Sequence, residues 1–320
     1  MKMNSQNTGI LSCIGNTPLV ELSRIFNRSN IALFAKLEMF NPGGSIKDRT
    51  AYNILKNAID KNIINSNSTI IESTSGNMGI GLARICHYLG LKLILVTDPH
   101  INAMCVRILK TFNANILTVT EHDGNGGYLN TRLAKVQELL TEIPDSFWPN
   151  QYYNMDNPLA HEQTFLEITD QLGNHPDYIY VSTSTCGTLR GLADAVDKYQ
   201  AKTKIIAVDA VGSVIFGDQP KKRIIPGMGA SRKSDFVQMK QVYQVVLISD
   251  KEAVEGCHQL LNTESILAGG SSGAIVKAID KTIHTLQKNT SVVAILPDTG
   301  ERYLDTIYST EWVNQNFKSE

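Results

Sequence analysis

Two periods of apolar residues alternate along most of the chain. From about residue 31 to residue 297, short runs dense in isoleucine, valine and leucine are followed by longer stretches whose apolar residues recur every three to four positions. Apolar runs bounded by turns read as strands covered on both faces, and the 3.6-residue recurrence reads as helices that pack on them. On that basis IALFAKLE (31–38) is a strand, SIKDRTAYNILKNAIDKN (45–62) a helix, STIIES (68–73) a strand, NMGIGLARICHYLG (77–90) a helix and LKLILVTDP (91–99) a strand. A helix over YLNTRLAKVQELLTE (128–142) follows, and the stretch from Pro144 to Pro158, rich in aromatic, asparagine and proline residues, marks a crossing to a second lobe. The second half repeats the pattern with DYIYVS, TLRGLADAVDKYQ, KIIAVDA, AIVKAIDKTIHTLQ and SVVAILPD. Strands alternating with helices predict an α/β protein with largely parallel sheets, and two sheets fit the pattern better than one.

Composition narrows the partners. The chain has 320 residues with 42% hydrophobic content, enough for two packed lobes. Its 30 basic and 31 acidic residues nearly cancel without a basic run, so neither nucleic acid nor an anionic membrane is expected as a partner. The N-terminal MKMNSQNTGILSCIGNTPLV lacks a signal-like apolar stretch and no window approaches a membrane span, which predicts a cytoplasmic protein. The final STEWVNQNFKSE is short, so no appended regulatory module is expected. The five cysteines are scattered and form no C-x-x-C pair, so they read as small buried residues. The seven histidines show no ligand spacing, His161 beside Glu162 included; they read as surface or packing residues, and no metal is expected.

Three junctions are unusually small and polar: STSGNMG (73–79), STSTCGT (182–188) and AGGSSGA (268–274), each read as the step from a strand into a helix. Free backbone N–H groups at a helix start, with hydroxyls alongside and no bulky Cβ, form an anion site. Three of them predict a ligand with more than one anionic group. Neither a P-loop nor a dinucleotide fingerprint is present, since NPGGSIKD lacks the lysine spacing and GMGASR ends in arginine.

Lys47 stands at the start of the helix from Ser45, which reads as its N-cap with Asp48 three residues on; Ala51, Ile54, Leu55, Ala58 and Ile59 form the apolar stripe. The positive end of the helix dipole disfavours a cation there and pushes the amine toward its neutral, nucleophilic form. A lysine that forms a Schiff base with a phosphorylated aldehyde needs phosphate-binding turns, and pyridoxal phosphate meets that description.

The residues resemble a known family at this point. IGNTPLVEL (14–22), NPGGSIKDR (41–49), ESTSGNMGIGLA (72–83), STCGTLRG (184–191), PGMGAS (226–231), ILAGGSSGA (266–274) and ILPDTGERYL (295–304) are similar, in order and spacing, to the fold-type II pyridoxal-phosphate enzymes of the cysteine synthase and cystathionine β-synthase group. The resemblance implies a two-lobed α/β fold of the tryptophan synthase β type, each lobe a mostly parallel sheet flanked by helices. It places a smaller mobile lobe at 41–150 and a larger, phosphate-binding lobe at 1–40 with 151–320. It implies that Lys47 carries the cofactor and serves as the α-proton base, that Asn77 meets the pyridine-ring hydroxyl, and that Thr74, Ser75 and Gly76 grip the substrate carboxylate. The phosphate cup falls on Ser184, Thr185, Cys186, Gly187 and Thr188, with serine and cysteine where the family usually has glycine. Ser271 falls where the family meets the pyridine nitrogen, and a hydroxyl there favours β-elimination over deeper carbanion chemistry. The reaction implied is β-replacement by a homodimer.

Longer strings carry the resemblance toward members of the family that use O-phospho-L-serine and L-glutamate: GGYLNTRLAKVQELL (126–140), NQY (150–152), AVDAVGSVIFGDQP (207–220) and PGMGASR (226–232). Arg132 and Arg232 sit in those strings and suit a phosphate or a carboxylate, with Tyr152 and Ser184 as added hydroxyl donors. The alternatives are a cysteine synthase acting on O-acetylserine or O-phosphoserine with sulfide, and a catalytically silent regulatory protein on the same scaffold. Methionine at position 78, where cysteine synthases usually carry threonine, speaks against the first. Retention of Lys47, Asn77 and Ser271 together speaks against the second.

Overall fold

The computed structural model describes residues 9–26, 31–123 and 127–317. The chain divides into two units, the first formed by Met1–Ile14 and Lys47–Asn157 and the second by Gly15–Ile46 and Pro158–Glu320. Residues 1–8, part of the stretch read as free of a targeting signal, and residues 318–320 of the C-terminal stretch lie outside the described residues. Among the described residues no helix is long and apolar enough to cross a membrane.

Strands β1 (Leu19–Glu21) and β2 (Ile31–Leu37) open the second unit. The first unit runs α1 (Lys47–Asp60), β3 (Thr69–Ser73), α2 (Asn77–Leu89), β4 (Lys92–Thr97), α3 (Ala103–Thr111), β5 (Asn115–Thr118), α4 (Leu129–Glu142) and β6 (Ser146–Phe147), before a single turn, α5 (Asp156–Leu159). The second unit resumes with α6 (Glu162–Leu172), β7 (Tyr178–Ser182), α7 (Gly187–Lys198), β8 (Lys204–Ala210), β9 (Gln244–Ile248), α8 (Asp250–Glu264), α9 (Gly270–Thr282), β10 (Thr290–Leu296) and α10 (Thr310–Asn316).

The first unit is a parallel sheet of order β5-β4-β3-β6. Side chains of a strand alternate between faces, so neighbouring apolar residues serve different cores. Ile70 and Leu95 pack with Ile54 and Leu55 of α1 and Leu82 of α2, whereas Ile71 and Val96 pack with Val136 and Leu139 of α4. The stripe read on α1 is all interior: Ala51, Ile54, Leu55, Ala58 and Ile59 are each at most 2% exposed. Full burial of each of the leucine and isoleucine side chains is worth about 1.5 to 3 kcal/mol.

The second unit holds a sheet of order β1-β2-β10-β7-β8-β9, parallel except for β1 against β2. Val292, Ala294 and Leu296 of β10 face α8 and α9, while Val293 and Ile295 face α6 and α7. A near-continuous apolar run is what a strand covered on both sides requires.

Three details differ from the sequence reading. Helix α1 begins at Lys47, so Ser45 is not next to its first residue; Ser45 forms an antiparallel bridge with Asp298 instead. The AGGSSGA turn does not follow a strand but joins α8 to α9; Gly269 precedes α9, and Gly270 and Gly273 lie in its first turn. Those glycines serve contact rather than flexibility: a Cβ on Gly273 would lie 2.0 Å from the Ala253 carbonyl oxygen of α8. Cys13 is exposed, while the other four cysteines are buried, and none of the five is in a disulfide.

Candidate active site

In the first unit, Lys47 is the first residue of α1 and is half-buried. A Cβ on Gly81 of α2 would lie 3.3 Å from the Lys47 carbonyl oxygen, so a glycine here lets α2 approach the start of α1. Asn77, one turn before Gly81, opens α2 behind the N-cap Gly76, and no side chain caps that helix start. Thr74 Oγ1 accepts from the Gly76 N–H at 3.3 Å, and a Cβ on Gly76 would meet nothing within 4 Å. The loop from Thr74 to Gly76 therefore leads into an uncapped helix start beside open space, the arrangement a carboxylate needs.

Arg132 of α4 joins this loop. Its Nη1 lies 3.4 Å from Ser75 Oγ and 3.2 Å from Asp98 Oδ2, and its side chain is 13% exposed. Its Nε is buried without a hydrogen-bond partner among the described residues. Gly126, at the head of the string that singled out Arg132, lies outside the described residues.

Glu72, just before the loop, was not among the predicted site residues. It is 1% exposed, and its Oε1 accepts from the Ser73 N–H at 2.8 Å and the Trp148 indole N–H at 3.1 Å, while Oε2 accepts from the Gln151 N–H at 3.3 Å. Burial pushes its carboxyl up from 4.5 to about 7, against the opposing pull of those donors. The half-buried Tyr152 follows Gln151 directly, so Glu72 ties the base of the loop to the segment that carries Tyr152. An acid closing the otherwise apolar strand TIIES was the available signal.

In the second unit, α7 starts at Gly187 behind Cys186, whose φ of 66° is left-handed, and no side chain caps it. A non-glycine residue there costs about 1 to 2 kcal/mol, which explains the family's glycine at this place. Ser184 Oγ donates to the Gly229 carbonyl at 3.3 Å, Ser234 Oγ donates to the Thr185 carbonyl at 2.7 Å, and Thr188 Oγ1 lies 3.2 Å from His161 Nε2. Gly229, at φ 72°, donates its N–H to the Thr183 carbonyl at 2.7 Å. The PGMGAS segment thereby braces the turn that leads into α7. The half-buried Arg232 stands two residues before Ser234, in the second unit, whereas Arg132 belongs to the first.

Helix α9 begins behind Gly269, also without a side-chain cap, and Ser271 in its first turn is 5% exposed. A Cβ on Gly270 would lie 2.3 Å from Ile225 Cγ2, so the glycine allows the start of α9 to lie against the segment that leads into PGMGAS. An uncapped helix start with threonine hydroxyls fits a phosphate, a serine hydroxyl fits a neutral ring nitrogen, and a lysine amine fits an aldehyde. Among the described residues no cluster of three or more histidine, cysteine, aspartate or glutamate side chains could hold a metal ion.

Comparison with known proteins follows the same lines. The family model described as pyridoxal-phosphate dependent enzyme matches residues 10–298. The solved O-acetylserine dependent cystathionine β-synthase from Helicobacter pylori is 31% identical at a TM-score of 0.88, over 94% of this chain and 99% of that one. O-acetylserine sulfhydrylase isoform 3 from Entamoeba histolytica is 31% identical at a TM-score of 0.87, over 100% of this chain and 98% of that one. O-ureido-L-serine synthase is 27% identical at a TM-score of 0.85, over 98% and 97%. A match over that length carries one conclusion: the chain belongs to the pyridoxal-phosphate dependent enzymes, has their fold-type II architecture, and is a β-replacement enzyme of the cysteine synthase type.

Proposed function

We propose that the chain joins O-phospho-L-serine to L-glutamate and releases phosphate, acting as an N-(2-amino-2-carboxyethyl)-L-glutamate synthase that supplies a 2,3-diaminopropionate precursor for siderophore biosynthesis. The observation that supports this reading is Arg132: a guanidinium held at 3.4 Å from Ser75 by Asp98, with a buried Nε left over. An unpaired buried N–H costs stability unless an anion takes it. A phosphate or a second carboxylate supplies that anion, whereas an acetyl ester is neutral and sulfide is small.

When bound, pyridoxal phosphate supplies an electron sink for the pair left at the substrate Cα. Ser184 to Thr188 would hold its phosphate, Asn77 its ring hydroxyl and Ser271 its ring nitrogen, and Lys47 would carry it until the substrate amine takes its place and frees the lysine amine. Thr74 to Gly76 orient the substrate carboxylate, and Arg132, Tyr152 and Arg232 select anionic substrates. Lys47 Nζ takes the Cα proton; the Cβ–O bond then breaks with its electron pair on the departing phosphate. The glutamate amine bonds to Cβ and gives up a proton, and Lys47 returns one to Cα. A homodimer completes the reading, and a single-chain mass in light scattering overturns that part.

The test offers the purified protein O-phospho-L-serine with glutamate, and separately O-acetylserine with sulfide, and follows products by mass spectrometry and free phosphate. The expected result is the glutamate adduct with stoichiometric phosphate from the first pair. Cysteine from the second pair without adduct from the first establishes the cysteine synthase reading, which the name of one structural neighbour, an O-acetylserine sulfhydrylase, favours.

A further inference from the structure

We propose that His161 is a positioning residue of the phosphate cup: it holds the Thr188 hydroxyl so that its proton points to the cofactor phosphate. The inference rests on Thr188 belonging to the cup and adds what orients it. His161 precedes α6 and is 0% exposed, as is Thr164, while Thr188 is 8% exposed. The imidazole stands between two hydroxyls, with Nε2 3.2 Å from Thr188 Oγ1 and Nδ1 3.4 Å from Thr164 Oγ1. This approach is built into α7: a Cβ on Gly191 would lie 2.0 Å from the Pro158 carbonyl oxygen and 2.8 Å from His161 Cβ.

The direction of the chain of hydrogen bonds decides what Thr188 can do. A threonine hydroxyl has a single proton, and if Nε2 accepted it, Thr188 would present only lone pairs to an anion. If Nε2 carries the proton and donates to Thr188 Oγ1, the Thr188 O–H is released to donate to a phosphate oxygen. Nδ1 is then bare and accepts from the Thr164 O–H, so all three groups are satisfied in one direction. The tautomer of this buried imidazole sets the polarity of the Thr188 hydroxyl.

Equilibrium dialysis of the full-length protein against pyridoxal phosphate tests this with His161→Leu, His161→Gln, Thr188→Val and the His161→Leu/Thr188→Val double variant. His161→Leu is expected to weaken cofactor binding about tenfold or more, the scale of a hydrogen bond to a charged group. His161→Gln, whose amide N–H stands near the Nε2 position, is expected to recover most of the loss. In the Thr188→Val background, His161→Leu is expected to add no more than about twofold, because the two changes remove one coupled contact. Thermal unfolding of each variant identifies those that fold. An equal effect of His161→Leu with and without Thr188, or a folded Gln variant as weak as Leu, overturns the inference. Undiminished binding by Thr188→Val removes Thr188 from the cup and overturns the inference together with that reading.

Discussion

Arg132 shows what a single residue owes to its neighbours. A charge-assisted hydrogen bond to an anionic substrate is worth about 1.5 to 3 kcal/mol, so Arg132→Ala is expected to raise KM for O-phospho-L-serine or glutamate by about 10- to 150-fold. The visible absorption of the bound cofactor is expected to stay unchanged, and steady-state kinetics with unaltered KM for both substrates removes Arg132 from the site. Glu72 makes a prediction in pH. Its carboxyl is pushed from 4.5 to about 7 in the folded protein, so the folded state holds a proton that the unfolded state has already released. The stability it contributes is therefore complete below pH 4.5 and is lost as pH rises through about 7. At about 1.4 kcal/mol for each of the roughly 2.5 pKa units, the loss is roughly 3 to 4 kcal/mol. Denaturant unfolding at pH 5 and pH 8 is expected to show Glu72→Gln gaining on the unmodified protein by that order as pH rises; parallel pH profiles contradict it. Arg132 could be singled out from its string, but Asp98 beside it and His161 could not, and the acid in TIIES signalled Glu72 without its partners. Their roles come from partners far along the chain: Trp148 is 76 residues from Glu72.

At the scale of elements, periodicity was sufficient for most of the strongly apolar runs. KIIAVDA is β8 from end to end, and NMGIGLARICHYLG covers α2. It failed to single out α6, β9 and α8, although Ser249 and Glu252 form a capping box at the start of α8. The contact between α8 and α9 was equally hidden. A Cβ on Gly256 would lie 2.0 Å from the Gly273 carbonyl oxygen, so the pair of glycines sets how close these helices come. Gly273→Ala is expected to destabilise the protein by about 1 to 3 kcal/mol, the cost of overpacking. Because α9 carries Ser271, the same change is expected to weaken cofactor binding, measured by dialysis of the folded variant. Unchanged stability and affinity would show that the helices can part at no cost.

Over the whole molecule, cofactor and fold are thermodynamically linked. A ligand that binds only the folded state adds about 2.7 kcal/mol at a hundredfold excess over its Kd. Pyridoxal phosphate is expected to raise the unfolding midpoint accordingly, and Lys47→Ala to reduce the gain; an unmoved midpoint in the unmodified protein contradicts the assignment of the cup. The sequence by itself determined the alternation of strands and helices, their grouping into two sheets, and the positions of the lysine, the glycine-rich turns and the serine that point to pyridoxal phosphate. These are local patterns, set by which residues must turn away from water within a few positions of one another. Only the tertiary structure decided that β10, near the end of the chain, lies beside β2, near its beginning, and that α8 and α9 meet through glycines. It alone set Asp98 beside Arg132, Trp148 over Glu72 and His161 behind Thr188. The physical reason is that burial, close approach and hydrogen-bond pairing depend on which distant segments the sheet order brings into contact, and no period of residues along the chain encodes that choice.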